Sequence, residues 1–494
     1  VSYNLLLGLI AGLLLMQVFS MVATLVATTN RKASLKALVA SGLVGVLLVV
    51  VGGNGHAAWH LIKNGNFKGY WYPDATRFID RTIHEFPSYS FIVSDLHAHV
   101  WSLPIVLLTI MAIGYWLAEL HEVVKAKKAV YWWQTAAVVG LLLGVLVMTS
   151  SWDAAIYSLL LGVLGIISLI KNPRCIFKLM LSALMIVIMM IVGSSMWWLN
   201  FESISEGVRV AHEHSPFWQL LVLWGPHVAT SVLSLAVGIG LLWRSKKNYS
   251  WYILLAGLVI TAFCLLVLPE LIFVKDIYPN HPRANTMFKL TFQAFTIMGI
   301  AIAWLAGWVQ STRISTRITW PIRIWLLLVL CGVLLYPFFG YRDYYDRMAN
   351  YQGLDGTQWL AEQHPDDFAA IEWLNSTVKG RPVIVEAVGE SYTTFARVST
   401  FTGFPTILGW RVHEWLWRGG FEIPGKRTEE VKQIYEEPLS SNAATILNQY
   451  QVRFIFVGDK EREAYSALNE TGLKSLGRTV FQSGETFIVD RAAW

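Results

Sequence analysis

The sequence predicts a polytopic α-helical membrane protein of about ten transmembrane helices, followed by a soluble C-terminal α/β domain. The chain has 494 residues, of which 55% are hydrophobic and 15% are charged, whereas a soluble protein carries about a quarter charged residues. Nearly all of this deficit lies before Tyr341, and the rest of the chain has the composition of a soluble domain. Short basic loops also alternate with long apolar runs. We therefore predict a membrane domain over residues 1–342 and a water-soluble domain over residues 343–494.

The apolar runs account for the predicted membrane helices, because most are close to the roughly 20 residues that cross a bilayer core. Few charged residues interrupt them, which favours chemistry at the helix ends over transport of polar solutes through the middle. The runs are Leu5–Ala27, Leu35–Val51, Trp101–Leu117, Val130–Met148, Ala154–Ile170, Ile176–Leu199, Phe217–Trp243, Trp251–Leu271, Met287–Val309 and Ile324–Phe339.

The charges of the loops predict the orientation of the chain. The intervening loops, 54–100, 149–153, 200–217 and 271–287, are acidic or of mixed sign, so we expect them and the C-terminal domain to lie outside a cell membrane. Membrane orientation thereby explains the net charge of +6, and no nucleic-acid partner is expected. Every second loop is basic, through Arg31, Lys32 and Lys36; Lys125, Lys127 and Lys128; Lys171, Arg174 and Lys178; Arg244, Lys246 and Lys247; and Arg313, Arg317 and Arg323.

The amino end has an unusual start for a membrane protein. The first residue is Val, and no basic residue precedes the first apolar run, which is too long for the core of a signal peptide. We therefore expect the first helix to begin outside. An outward start without Met predicts either an unusual start codon or a fragment, and for a fragment we expect an odd number of upstream helices to be missing.

The first outer loop holds the densest cluster of reactive side chains, from His84 and Glu85 to Asp95, His97 and His99. Asp95 and His99 share a face of a helix, and all three of Asp95, His97 and His99 share a face of an extended segment. Imidazole with carboxylate suits Zn²⁺ or Mn²⁺, and carboxylate alone suits Mg²⁺ or Ca²⁺. The alternative is that these residues cap a helix and pair with Arg77 or Arg81.

Two further outer segments contribute candidates. Trp152 and Asp153 lie in a turn between two runs, where Asp153 is either a further ligand or, as we slightly favour, the cap of the next helix. Arg283, Asn285 and Lys289 lie at the outer end of another run, where a lipid phosphate would sit. The alternative there is ordinary contact of Arg283 and Lys289 with lipid headgroups.

The C-terminal domain shows strands alternating with helices, which predicts a small α/β sandwich. No Gly-rich phosphate loop follows a buried strand, so a nucleotide cofactor is not expected. The predicted strands are 383–385, 452–457, 479–481 and 486–489, with helices from Asp366 or Asp367 to Asn375 and over Thr428–Tyr435 and Asn442–Tyr450.

A polar and aromatic surface is predicted within this domain. If residues 410–418 are helical, Trp410, His413, Glu414, Trp417 and Arg418 share one face. Aromatic rings beside carboxylate and guanidinium suit a sugar or a phosphate, and docking on the membrane is the alternative. Further substrate-binding candidates precede this face, namely Glu386, Tyr392 and Arg397.

These motifs together resemble the YYY membrane proteins, a bacterial and archaeal family named for a Tyr-rich motif. That family is itself similar to the type C membrane glycosyltransferases, which use polyprenyl-phosphate sugars. The family's tyrosine motif and first outer loop precede Val1 and are absent here, as expected for a fragment. The matching segments are His84 to Phe91, Asp95-Leu96-His97-Ala98-His99, Trp152-Asp153, Arg283 to Lys289, and Glu386 to Gly419.

The resemblance and the residues lead to one hypothesis with two rivals. The hypothesis is an inverting glycosyltransferase that uses a polyprenyl-phosphate-linked sugar at the outer membrane face. Asp95 or Glu85 would take the proton of the acceptor hydroxyl. A divalent ion (Mg²⁺, Mn²⁺ or Zn²⁺) on Asp95, His97 or His99, helped by Arg283 and Lys289, would neutralise the lipid phosphate. The rivals are a non-catalytic lipid or solute transporter or flippase, and a structural membrane assembly protein.

Overall fold

The computed structural model describes residues 2–126, 131–202, 205–244, 249–276, 280–312, 314–349 and 353–492, which form two compact units. The larger unit comprises Ser2–Phe201 and Ser205–Tyr351, and the smaller is chiefly Gln352–Trp494. Five of the predicted basic loop residues lie outside the described residues, namely Lys127, Lys128, Lys246, Lys247 and Arg313.

The larger unit is almost entirely helical. Among the described residues, nine helices are long and apolar enough to cross a membrane, or ten if one bent pair counts as a span, which confirms the predicted number. The helices are α1 (Ser2–Thr29), α2 (Leu35–Val46), α3 (His56–Asn64), α4 (Asp74–Arg77), α5 (Pro87–Ile92), α6 (Ala98–Trp101), α7 (Leu103–Ala126), α8 (Trp132–Thr149), α9 (Ser151–Lys171), α10 (Ile176–Gly193), α11 (Ser195–Trp198), α12 (Phe217–Arg244), α13 (Tyr249–Leu271), α14 (Ala284–Ser311) and α15 (Thr316–Tyr344).

Helix α14 is the central helix of this unit. In its most apolar stretch 94% of the residues are buried, against 28% in α1 and in α15. Glycines let neighbours approach it closely, because a Cβ atom at Gly299 would lie 2.6 Å from Val49, and one at Gly307 would lie 2.5 Å from Val26. Small residues serve the same purpose in other membrane helix contacts. Lys289, near the start of α14, therefore lies on the central, most buried helix of this unit.

The second predicted span is broken rather than straight. Helix α2 continues as a π-helical turn over Leu47–Val51, and the chain then bends by 79° into α3. The bend is fastened to α12, because the Gly55 amide donates to the carbonyl of Leu223 at 3.1 Å. Pro226 leaves the carbonyl of Val222 without its helical donor, and a Cβ at residue 55 would lie 2.2 Å from that oxygen. Glycine is therefore required at this close approach.

The predicted outer loops meet at one end of the helix bundle. Val208–Val210 (β1) pairs with Ile272–Val274 (β2) in a two-stranded antiparallel sheet that joins two of these loops. The sequence analysis missed this pairing, because three-residue strands with outward-facing side chains show no distinct pattern. Arg81 also reaches from the first loop to Glu213 at 3.4 Å.

The smaller unit is an α/β sandwich, as predicted. Its four-stranded sheet has the order β3-β4-β6-β5, with β3 parallel to β4 and the other pairs antiparallel. The strands are β3 (Val383–Val385), β4 (Val452–Val457), β5 (Arg478–Ser483) and β6 (Thr486–Asp490), and the helices are α16 (Gln358–Gln363), α17 (Pro365–Thr377), α18 (Arg397–Thr402), α19 (Arg411–Arg418), α20 (Glu422–Glu436), α21 (Ser441–Gln449), α22 (Asp459–Ala464) and α23 (Glu470–Lys474).

Both faces of this sheet are buried. Along β4, Phe454 and Phe456 enter one apolar cluster, while Ile455 and Val457 enter another. Successive side chains of a strand point to opposite faces, so helices cover the sheet on both sides. This explains why β4 appears in the sequence as an apolar run interrupted only by Arg453, rather than as an alternating pattern.

Candidate functional site

The first outer loop folds so that its acidic and histidine residues converge. Pro87 occupies the first turn of α5, where its missing amide hydrogen costs nothing. After α5, Ser94 adopts a positive φ of 56° and turns the chain toward α6. The Tyr3 hydroxyl supports this turn, because it donates to the Ser94 carbonyl at 2.6 Å. Asp95 and His99 therefore face inward toward Glu85.

Glu85, Asp95, His99 and Lys289 form what we call the outer cluster. One ligand atom from each of Glu85, Asp95 and His99 lies within 4.8 Å of the others. His99 Nε2 lies 3.6 Å from Asp95 Oδ2 and 3.4 Å from the Ser90 hydroxyl. These donor types and this spacing fit a divalent cation. The loop thus brings together three side chains that could hold a metal ion, with Glu85 in the position predicted for His97.

Lys289 completes the outer cluster from α14. Its Nζ lies 3.2 Å from His99 Nδ1, and the charges of Asp153, Glu85 and Asp95 all act on it. An ammonium only donates hydrogen bonds, so His99 Nδ1 accepts and the ring proton sits on Nε2, facing Asp95. A metal at Nε2 requires the loss of that proton. The Lys289 ammonium and a metal ion would therefore compete for His99, and both are attracted by the carboxylates of Glu85 and Asp95.

His97 takes a different position from the one predicted. Its side chain is 62% exposed, and its Nδ1 contacts the Oδ1 oxygen of Asp95. This leaves Nε2 directed away from the carboxylate, as in a His–Asp pair that acts as a base. The structure therefore places His97 at the rim of the outer cluster and His99, which is 3% exposed, in its interior.

The two carboxyl groups of the outer cluster differ in their acidity. Burial raises the pKa of Glu85, against the opposing charge and hydrogen bond of Arg77. Burial also acts to raise the pKa of Asp95, but the hydrogen bond from His97 and the charges of both histidines outweigh it and lower that pKa. The same hydrogen bond raises the pKa of His97. Carboxyl groups whose pKa values move apart are typical of acid–base sites.

Asp153 lies close enough to act on Lys289 but has a partner of its own. It is 2% exposed, and its Oδ2 accepts a hydrogen bond from Ser102 at 2.5 Å. The N-cap residue of α9 is Ser150, so the interpretation of Asp153 as the cap is wrong. Trp152 packs against the helical core.

Arg283 and Lys289, predicted to bind one phosphate together, have separate surroundings. Arg283 is 7% exposed and pairs with Glu270 at 2.8 Å. It lines a different cavity of about 570 Å³, together with Arg81 and His214. Asn285 lies in the first turn of α14 and is half-buried. Of the three predicted phosphate ligands, Lys289 is the one that joins the outer cluster.

Two predicted substrate ligands of the smaller unit are internal. Glu386 is fully buried, and its carboxylate accepts from the backbone amides of Val398 and Ser399 at 2.8 and 2.9 Å. Arg397 is 1% exposed and pairs with Asp367 and Glu461 at 2.5 and 3.0 Å. Both residues therefore hold the fold together rather than face a ligand.

The predicted polar and aromatic face lies on α19, and part of it lines a cavity. Trp410, His413 and Glu414 surround about 390 Å³ together with Ser399 and Thr400. The Tyr392 hydroxyl lies 3.2 Å from His413 Nε2, and Arg418 pairs with Glu414 at 2.7 Å. The side chain of Trp417 lies outside the described residues. Substrate binding by this face stays a prediction.

Several contacts of the candidate residues could not be predicted from the sequence. Ser90 and Ser102 bond to His99 and Asp153, and isolated serines give no signal in a sequence. Asp367 and Glu461, the partners of Arg397, lie 30 and 64 residues from it along the chain. Only the folded sheet brings them together.

The whole chain was compared with curated proteins and with solved structures. A search of curated proteins found no match. Among solved structures, the archaeal oligosaccharyltransferase AglB from Archaeoglobus fulgidus, in complex with an inhibitory peptide and a dolichol-phosphate, aligns with 94% of this chain at 9% sequence identity and a TM-score of 0.33. The alignment covers 60% of that structure, so this chain spans about three fifths of its length.

A protein family also matches this sequence. The matches cover residues 1–259 and 228–298, which together are more than half of the chain. The segments around Glu85, Asp95, Asp153 and Lys289 all lie within them. The resemblance to the YYY membrane proteins is thereby confirmed, and the chain belongs to the family described as Uncharacterized membrane protein (DUF2298).

Proposed function

We propose that this protein is a membrane glycosyltransferase that takes a sugar from a polyprenyl-phosphate donor at the outer membrane face. The single observation that carries the proposal is the outer cluster. With His97 at its rim, the cluster brings together the carboxylate of Asp95, an exposed imidazole and the ammonium of Lys289 at one end of the helix bundle. Glycosyl transfer from a lipid phosphate requires a base for the acceptor hydroxyl and a cation that neutralises the leaving phosphate.

The roles follow from the contacts of each residue. His97, oriented by Asp95 through Nδ1, takes the proton of the acceptor hydroxyl at Nε2. The hydroxyl oxygen forms a bond to the anomeric carbon while the bond from that carbon to the phosphate oxygen breaks. The leaving phosphate keeps the electron pair, and Lys289 neutralises its charge. Attack opposite the leaving group inverts the anomeric centre.

A divalent metal ion fits the donor set of the outer cluster. Glu85, Asp95 and His99 would hold it, and its charge would assist departure of the phosphate. Mg²⁺ and Mn²⁺ suit the two carboxylates, and Zn²⁺ suits the imidazole. Lys289 would then have to release His99, because a ring that binds a cation through Nε2 carries its proton on Nδ1 and cannot accept a hydrogen bond there.

The remaining parts of the proposal concern partners and orientation. The alternation of basic loops supports an outward-facing outer cluster in the cell membrane. The Trp410, His413 and Glu414 cavity of the smaller unit would bind the acceptor or the sugar, since aromatic and carboxylate side chains suit carbohydrate hydroxyls. Donor lipid and surrounding membrane lipid are the expected partners.

A transfer assay tests the proposal. The purified protein in nanodiscs would receive radiolabelled polyprenyl-phosphate hexoses with a membrane extract as the acceptor source, and release of polyprenyl phosphate would be measured. Asp95→Asn removes the charge that orients His97, so we expect a loss of about 10²–10⁴-fold in rate. Asp80→Asn is the matched control, because the Asp80 side chain is 94% exposed. Equal rates for wild type and Asp95→Asn would exclude the proposed role.

The rival hypotheses make different demands. A transporter requires ionisable groups at mid-span, whereas the outer cluster lies at helix ends. A structural assembly protein would release no lipid phosphate from any donor. Binding to other proteins, with neither hydrolysis of the lipid-linked sugar nor sugar transfer, would favour the structural hypothesis.

A further inference from the structure

The end of the helix bundle opposite the outer cluster contains a groove of about 510 Å³ between α2, α14 and α15. Apolar side chains line most of it, among them Val44, Leu48, Ile302 and Leu330. Polar groups gather at its mouth, where Lys36 and Arg323 are joined by Ser34 and Gln310. We propose that this groove binds one anionic phospholipid, with its phosphate at Lys36 and Arg323.

The length of the groove fits a lipid chain. Lys36 and Leu48 are twelve residues apart on α2 and its π-helical turn, which corresponds to about 18 Å at 1.5 Å per residue. Gln310 and Ile302 are eight residues apart on α14, or about 12 Å. The hydrocarbon core of a bilayer is about 30 Å thick, so the groove extends through about one leaflet.

The charge of the groove selects the headgroup. Lys36 and Arg323 are both exposed, and all the other side chains that line the groove are uncharged. Arg323 is held at the mouth, because its Nη2 donates to the Val309 carbonyl at 3.3 Å. Two cations without a carboxylate suit a phosphate that carries net negative charge. A zwitterionic headgroup would place its own cation beside them and bind less well.

The surroundings favour a lipid over a protein helix as the occupant. Leu327 and Leu328 of α15 are 60% and 61% exposed, as expected for side chains that face acyl chains. Basic residues in alternate loops predict that this end faces the inner leaflet, which carries the anionic lipids. The proposal is independent of the glycosyltransferase function.

Native mass spectrometry of the full chain tests this site. The protein would be titrated with phosphatidylglycerol or with phosphatidylcholine, and we expect preferential binding of phosphatidylglycerol. Removing one cation near the membrane costs about 1 kcal/mol, so Lys36→Gln or Arg323→Gln should each weaken this binding about fivefold. Arg317→Gln, an exposed cation at the same end that does not line the groove, is the matched control.

A second variant tests the apolar part. Leu330→Trp should fill the groove and displace phosphatidylglycerol while Lys36 and Arg323 remain. Inorganic phosphate at millimolar concentration should not compete, because the apolar groove contributes to binding. Equal binding of the two lipids, unchanged binding by Lys36→Gln and Arg323→Gln together, or full competition by inorganic phosphate would each overturn the proposal.

Discussion

The two units of this protein use the same residue types in two different ways. The smaller unit buries Arg397 between Asp367 and Glu461, and the larger unit surrounds Lys289 with carboxylates at the outer cluster. Around Arg397 the ion pairs are 2.5 and 3.0 Å long. Around His99 the corresponding contacts are 3.2 to 3.6 Å. The Arg397 network is closed to solvent, although its Nη1 nitrogen has no hydrogen-bond partner among the described residues. In the outer cluster the contacts of His99 are long, while Arg77 and His97 hold Glu85 and Asp95 closely.

The difference shows where new partners can bind. Both oxygens of Glu461 have donors, since Oε1 accepts from Ala387 and Oε2 from Gly458 and Arg397. Asp95, by contrast, is 16% exposed and leads to an exposed His97. A buried charge network whose acceptors are all paired has no place for a ligand, and removal of one partner destabilises the fold. A loosely paired one at a surface leaves room for a substrate or a metal ion.

The largest expected effect breaks the closed network. Arg397→Met leaves Asp367 and Glu461 buried without their cation, so we expect the stability of the smaller unit to fall by about 3–5 kcal/mol. Protease susceptibility of the full chain in increasing urea would measure it. Arg411→Met, which removes an exposed contact to Glu390, should cost at most about 1 kcal/mol. Equal losses from both variants would contradict the structural role of Arg397.

The next effect separates activity from stability in the outer cluster. In the proposed reaction Lys289 neutralises the leaving phosphate, so we expect Lys289→Met to lower the transfer rate about 10²–10³-fold. The loss of stability should be smaller than for Arg397→Met, because the carboxylates keep other partners: Arg77 on Glu85, His97 on Asp95 and Ser102 on Asp153.

The exposed Lys68 of the first outer loop supplies the control, since Lys68→Met makes the same substitution outside the outer cluster. Lys289→Met should also bind Mn²⁺ more tightly than the wild type, as its competitor is gone. A stability loss as large as that of Arg397→Met, with no effect on transfer in the remaining folded protein, would make both networks structural.

The smallest expected effect is a shift in the pKa of His97. Contact with Asp95 raises the pKa of His97 above its ordinary value of 6.5, and His97 must be neutral to accept a proton. The transfer rate should therefore rise with pH through a midpoint above 6.5. NMR of labelled histidine, assigned with His97→Gln, should show this midpoint falling in Asp95→Asn. An unchanged midpoint in Asp95→Asn would show that Asp95 does not raise the pKa of His97.

Much of the fold could be predicted because membrane helices and buried strands leave strong signals. The run that became α12 was predicted within one residue at its carboxyl end, and β4 was predicted with its observed bounds. The bend after Val51 was not predicted, because the amphipathic α3 is too polar to extend an apolar run. The bend is held by contacts to α12 and α15, far along the chain, where the amides of Gly55 and Gly53 donate to the carbonyls of Leu223 and Val333.

The site was predicted in part. The spacing of Asp95 and His99 alone predicted that they converge. Lys289 was predicted as a phosphate ligand from its place at a helix end. Sequence spacing could not distinguish the exposed His97 from the buried His99, since both alternate with Asp95. Nor could it show that Arg283 pairs with Glu270, because that partner lies on the preceding helix.

The fastening of Gly55 to α12 has a consequence for how variants of this protein will behave. A methyl group at that position would push the bend away from the neighbouring helix, while the apolar spans would still insert into the bilayer. The displaced segment leads directly to the one that carries Glu85 and Asp95. Gly55→Ala could thus yield a well-inserted but inert protein, and a screen for inactive variants would identify an uncharged backbone position alongside the acidic ones.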